Sequence, residues 1–172
     1  MMCSLIAARR GLDVILLEPN KMLGRKLRIT GKGRCNVTNV ADIDDFFKQI
    51  QRIPGDGRFL YSALNRLSPR DTMQFFESLG LPLKTERGNR VFPVSDNAND
   101  VAGTLARNLE RSGVRHIRES ANHIIAENGE VTGVKTDSGV ISCRAAVICT
   151  GGLSYPLTGS TGAGYKMARE LG

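Results

Sequence analysis

No apolar run in this chain approaches the ~20 residues that a bilayer-spanning helix needs. The first apolar stretch is followed, not preceded, by Arg9 and Arg10, the wrong order for a secretory signal. A membrane partner is therefore not expected, and the expected compartment is the cytoplasm. The four cysteines, Cys3, Cys35, Cys143 and Cys149, form no C-x-x-C pair, which argues against a zinc ribbon and a local dithiol relay. The two histidines, His116 and His123, stand seven residues apart in strand-like sequence, so no shared metal is expected. Also missing are a Gly-Lys-Ser/Thr phosphate loop, an internal repeat and any low-complexity tract.

Acidic residues are in deficit. The 24 Lys and Arg outnumber 17 Asp and Glu, for a net charge of +7, which invites a nucleic-acid reading. The basic residues are nevertheless spread along the chain, without a dense run or an interleaved aromatic platform, and no nucleic-acid module signature appears. No nucleic-acid partner is expected. What remains is a chain of 172 residues, 41% of them hydrophobic, about one domain in length and able to build a core.

One stretch organises the reading: Gly31-Lys32-Gly33-Arg34-Cys35-Asn36-Val37-Thr38-Asn39. It is too polar and glycine-rich for a helix or strand and reads as a ligand cradle, with a plain surface turn as the alternative. Gly31 and Gly33 would let backbone approach a bulky group closely. Arg34 offers a planar fork for an anion, and Asn36, Thr38 and Asn39 offer directional hydrogen bonds. Cys35, beside Arg34, has two open readings, a thiol of lowered pKa or a residue packed against a ring, while Cys143 and Cys149 read as small core residues.

Upstream, residues 12–18 form an apolar run ending in Glu18 and preceded by a helical piece closed by Gly11. This predicts a buried strand with a carboxylate at its tip, the place where nucleotide-binding α/β folds hold a ribose diol. Downstream, Ala145-Ala146-Val147-Ile148-Cys149 predicts a second such strand running into Thr150-Gly151-Gly152. Two strand ends and a polar loop could then converge on one ligand.

Between these landmarks, residues 41–50 predict a helix with acids in its first turn, broken by Pro54-Gly55-Asp56-Gly57, and residues 58–67 a second. Ser68-Pro69-Arg70-Asp71 is a helix start, and Gly80 is its end. Residues 83–92 predict a hairpin, and a helix capped by Ser95 or Asn97 runs through Leu109, closed by Gly113. Strand-sized pieces follow at 114–118, 121–127, 131–136 and 140–143, three of them forming a meander. Residues 155–164 lead glycines and hydroxyls into a final helix whose free N–H groups would suit an anion, a structural cap being the alternative.

L-E-x-N-x-x-L-G-R-K-L-x-I-T-G-x-G-R-C-N-V-T-N over residues 17–39 and I-C-T-G-G-x-S-Y-P-L-T-G-S-T-G-x-G-Y over 148–165 resemble the bacterial FAD-dependent oxidoreductases of the BaiN/YhiN-like, or aminoacetone oxidase, family. The resemblance spans nearly the whole chain. It implies an α/β fold: the FAD-binding, Rossmann-like parallel sheet of a two-dinucleotide-binding-domain flavoprotein, with helices and a small antiparallel meander at about 121–143. It also implies FAD held by Glu18, Lys26, Gly33, Arg34, Cys35, Asn36, Thr38, Ala121, Thr150, Gly151 and Gly152, with Ala121 near the adenine and Arg34 and Asn36 tuning the ring. The family's opening strand and G-x-G-x-x-G turn have no counterpart before residue 2, and its further domains none after 172. The chain thus reads as a partial FAD-binding domain whose first strand, expected between residues 13–17 and 145–149, is missing.

The implied activity is hydride transfer from NAD(P)H, as co-substrate, through FAD to a small or steroid-like organic substrate. No catalytic acid or base stands out. The alternative is a non-catalytic nucleotide- or RNA-binding module using the same basic loop.

Overall fold

The computed structural model describes residues 1–51 and 57–172. In chain order they form α1 (Met2–Arg9), β1 (Ile15–Leu17), the single turn α2 (Arg25–Arg28), β2 (Thr38–Asn39) and α3 (Ile43–Ile50). Next come α4 (Tyr61–Arg66), α5 (Pro69–Ser78), β3 (Leu83–Glu86), β4 (Arg90–Pro93) and α6 (Ala98–Arg111). β5 (Arg115–Ile117), β6 (Ala121–Glu127), β7 (Glu130–Thr136), β8 (Val140–Ser142) and α7 (Ala163–Glu170) complete the chain. Two compact units result, one of Met1–Lys26 with Leu109–Gly172, the other of Leu27–Asn108.

In the first unit, β1 and β5 pair in parallel, Ile15 opposite Arg115 and Leu17 opposite Ile117. The ladder is extended at its end by the Glu18 N–H, which donates to the Ile117 carbonyl at 3.1 Å. A parallel pair needs a long crossover, and here about a hundred residues separate the strands. The antiparallel sheet β6-β7-β8 is the predicted meander. Its first turn follows from Asn128-Gly129, whose φ of 53° and 81° are the two left-handed residues that a tight hairpin turn demands. Leu5, Ile124, Val134 and Met167 are buried in this unit.

The second unit carries the antiparallel sheet β2-β4-β3 and the helices α3 to α5. Val91, Phe92, Phe76, Leu81, Val101 and Leu105 are buried, so β4 and one face of α6 supply much of its core. The helix starts are written locally. Asp42 caps α3 by accepting from the Asp45 N–H at 2.8 Å, Asn97 accepts from the Asn99 N–H at 2.9 Å ahead of α6, and Ser68 opens α5 with a reciprocal pair. The Ser68 hydroxyl accepts from the Asp71 N–H at 3.1 Å, and the Asp71 carboxylate accepts from the Ser68 N–H at 2.9 Å.

Three expectations need correction. Residues 145–149 form no strand, and Val147 is 68% exposed; a strand exists only through backbone bonds to a neighbour, and no described residue pairs with this one. The parallel sheet is accordingly two strands wide. The 31–39 stretch is not free of regular structure, because Thr30–Gly33 forms a 3-10 turn and β2 pairs with β4, Thr38 opposite Val91. The helix predicted for 58–67 begins as a 3-10 turn at Gly57–Leu60 and becomes α-helical only at Tyr61. The break expected at 54–56 lies outside the described residues.

The capping pair at α5 yields a stability test. Ser68→Ala removes the acceptor for the Asp71 N–H and is expected to lower unfolding free energy by about 1 kcal/mol. It should appear as a reduced urea midpoint at unchanged slope.

Candidate functional site

Glu18 stands directly after β1, where the chain leaves the parallel ladder. Its Oε1 accepts from the Asn20 N–H at 2.9 Å and from Asn20 Nδ2 at 2.7 Å, a local turn that orients the carboxylate. Asn20 Nδ2 also donates to the Thr158 carbonyl at 3.3 Å, and Asn20 Oδ1 accepts from Arg25 at 3.0 Å. Both of these bonds to the Glu18 side chain fall on the same oxygen, Oε1.

Lys26 lies in the same unit and gathers the segment leading to α7. Its Nζ donates to the Ser154 carbonyl and the Ser154 hydroxyl, each at 2.7 Å, approaches Ser160 Oγ at 3.5 Å, and sits 5.2 Å from the Tyr155 ring centroid. Tyr155 has φ of 58°, a costly conformation for a bulky residue, and its carbonyl accepts from the Thr158 N–H at 2.9 Å and hydroxyl at 2.7 Å. Nearby, Gly151 is left-handed at φ 75°, and a Cβ there would come 2.8 Å from Ser160 Oγ. Thr150 Oγ1 is buried with no hydrogen-bond partner among the described residues. Gly152 lies close to Tyr165, and Ala121 opens β6 opposite Thr136.

The remaining predicted residues belong to the second unit. Gly31, Lys32 and Gly33 take φ of 55°, 58° and 83°, and Cys35 takes 60°. The two glycines differ in purpose. A Cβ on Gly31 would lie 2.9 Å from the Asn36 nitrogen and 3.4 Å from the Phe92 ring, so this glycine admits the chain's own backbone; a Cβ on Gly33 would meet nothing within 4 Å. The Asn36 amide is oriented with its NH2 donating to the Val91 carbonyl at 3.1 Å and the Thr38 carbonyl at 2.9 Å, which ties the loop to β4.

Arg34 and Cys35 depart most from the sequence reading. The Arg34 guanidinium donates from Nε to Asp96 Oδ1 at 2.9 Å and from one terminal nitrogen to both Glu86 and Asp96 at 2.5 Å, and lies 4.1 Å from the Phe92 ring centroid. Lys84 completes the cluster, 2.5 Å from Asp96 Oδ2 and 3.4 Å from Glu86 Oε1. The hydrogen bond from Arg34 holds the Glu86 carboxyl below its ordinary range, and those from Lys84 and Arg34 do the same for Asp96. Cys35 is 2% exposed, and burial pushes its thiol up despite a hydrogen bond with Thr30. The direction is opposite to the lowered-pKa alternative, because taking a thiolate out of water disfavours it. Glu86 and Asp96 carried no local sequence signal, since Arg34 reaches them across 52 and 62 residues of chain, and Lys84 joins the cluster only through those two carboxylates.

The packing beside Thr150 is also testable. A Cβ on Gly164 would fall 2.4 Å from Thr150 Oγ1 and 2.7 Å from Ile148 Cγ2, so Gly164→Ala should destabilise by about 1–3 kcal/mol, the usual cost of overpacking. Thr150→Val removes a buried hydroxyl that has no partner among the described residues and is expected to leave the urea midpoint unchanged or slightly raised.

Residues 1–172 match the family described as HI0933-like protein Rossmann domain. The chain is 32% identical over 178 residues to the 3-dehydro-bile acid delta(4,6)-reductase of Clostridium scindens, covering all of this chain and 41% of that protein. It is 28% identical over 172 residues to the ribosomal RNA dihydrouridine synthase of Escherichia coli, covering 42% of that protein. The chain thus spans about two fifths of the length of these curated relatives. Among solved structures it resembles the glycine oxidase of Bacillus cereus, with a TM-score of 0.50 at 14% identity over 86% of this chain and 52% of that one, a likeness of fold. Matched along its whole length, the chain belongs to the HI0933-like Rossmann-domain family, that of the BaiN/YhiN-like flavoproteins its two long motifs resemble.

Proposed function

We propose that this chain is FAD-binding framework of a flavin-dependent oxidoreductase that draws hydride from NAD(P)H and reduces a small or ring-shaped organic substrate. The observation that carries the reading is Glu18 at the exit of a parallel β1–β5 ladder, with both local bonds on Oε1. That is where a ribose diol is received in folds of this class, and a carboxylate has two oxygens with which to accept from it. Gly33 adds a second fit, a left-handed backbone position whose Cβ side is open and so leaves room for a planar group.

When bound, FAD supplies the two-electron relay; this chain's residues bind and orient it. In this proposal Glu18 takes the ribose, and Gly33 lies against the cofactor. Cys35, Asn36 and Thr38 hold the loop's shape, while Lys26, Thr150, Gly151 and Gly152 form the other cofactor-facing turn and Ala121 the backbone near adenine. The names of the relatives support a narrower substrate class. The names delta(4,6)-reductase and dihydrouridine synthase both denote reduction of an unsaturated ring. A conjugated ring of that kind suits the proposed acceptor.

A second reading is favoured by the two ribosomal RNA dihydrouridine synthases among the relatives and the net charge of +7. Here the acceptor is a uracil ring within RNA, contrary to the absence of a nucleic-acid partner expected from composition alone. Retention of RNA on the flavin-loaded protein, weakening steeply with salt, separates this reading from a free small molecule.

Purified protein should show flavin absorption and release FAD on denaturation, and NADH or NADPH should bleach it without oxygen. A colourless protein that takes up no added FAD overturns the proposal. Glu18→Ala should weaken FAD by about 1.5–3 kcal/mol, the range for hydrogen bonds to a charged group, and an unchanged affinity removes Glu18 from the site.

A further inference from the structure

Arg34 has the composition of an anion receptor and the surroundings of a brace. Its fork is engaged by Glu86 and Asp96, and its plane lies against Phe92, itself 3% exposed. With Lys84 the ion-paired groups are two cations and two carboxylates, so the charge of Arg34 is balanced by its own partners, although a further cation, Arg90, lies 5.7 Å from the Phe92 ring centroid.

The backbone around Arg34 shows what needs bracing. Gly31, Lys32 and Gly33 are left-handed before it, Cys35 is left-handed after it, and Asp96, its partner, is left-handed as well at φ 55°. Such residues persist only where the surroundings over-determine them. The Arg34 N–H donates to the Gly31 carbonyl at 3.2 Å, and the Cys35 N–H to Thr30 at 3.0 Å. Those bonds close the turn on itself without attaching it to anything else. The Arg34 side chain does attach it, reaching Glu86 on β3, Phe92 on β4 and Asp96 just beyond β4.

We infer that Arg34 is a positioning residue: with Glu86, Asp96, Lys84 and Phe92 it pins the left-handed turn so that the open face of Gly33 is presented to the cofactor, and it does not itself touch the flavin. This rests on the FAD reading above. It assigns Glu86 and Asp96, the carboxylate partners of Arg34, a role in cofactor affinity. It also explains why arginine suits the position, because a lysine reaches two carboxylates and an aromatic face far less well than a planar fork does.

The test compares Arg34→Ala, Arg34→Lys, Glu86→Gln and Asp96→Asn in the whole protein, by FAD titration, flavin midpoint potential and amide hydrogen exchange of residues 31–35. The two near-isosteric carboxylate variants are expected to weaken FAD by about threefold or more, as befits partly screened pairs, and to speed exchange in the turn. Arg34→Ala should do both more strongly, with partial rescue by Arg34→Lys, and the potential of the FAD that still binds should not move. In the double variant Arg34→Ala with Asp96→Asn, the losses should fall short of additive. A lowered potential in Arg34→Ala, with wild-type FAD affinity in both carboxylate variants, would place Arg34 on the flavin and overturn the inference. Should the wild type take up no FAD, the cofactor reading fails separately. Exchange then decides the pin alone, faster in the carboxylate variants if it holds and unchanged if it does not.

Discussion

Left-handed backbone between Gly31 and Cys35 must be held from outside, and the second unit is arranged to hold it. Glycine tolerates such angles, whereas Lys32 and Cys35 do so at a cost. The compensation comes from three directions: the Asn36 amide bonded to the Val91 and Thr38 carbonyls, Cys35 buried, and Arg34 spanning Glu86, Phe92 and Asp96. The short pairing of β2 with β4 belongs to the same arrangement, since it brings the end of the loop onto the strand that carries Phe92.

The first unit depends on a different constraint, the parallel pairing of β1 with β5. Three residues from each strand make that ladder, and its end sets where Glu18 begins. Around it the chain spends polar groups on local order: Asn20 orients Glu18, and Lys26 binds the Ser154 to Ser160 stretch. These bonds involve partly exposed groups, so each stabilises modestly. Their effect is mainly to restrict which direction each side chain faces.

The electrostatics of the two units differ accordingly. Among the described residues Lys26 meets neutral oxygens and an aromatic ring. Arg34 is neutralised by carboxylates at hydrogen-bond distance. The lowered carboxyls of Glu86 and Asp96 give this cluster full strength at neutral pH. Its contribution is lost as pH falls through those lowered values, because a group whose folded pKa is depressed stabilises only while it is ionised.

Sequence alone determined the pieces whose physics is local. The Ser68 and Asp71 exchange that starts α5, the Asn128-Gly129 turn, the meander and the carboxylate after β1 could all be read within a few residues, because caps and turns are set by neighbours in the chain. The two long motifs also carried the family. Tertiary structure decided the rest. Whether residues 145–149 become a strand depends on a backbone partner, and composition cannot supply one. Which glycine serves the chain and which is left open depended on where Asn36 and Phe92 lie relative to Gly31. Above all, Arg34 reads in sequence as a free fork for an anion. Its carboxylates arrive from 52 and 62 residues away, and electrostatic partners at such separations are chosen by how the chain folds back, not by what stands beside the residue.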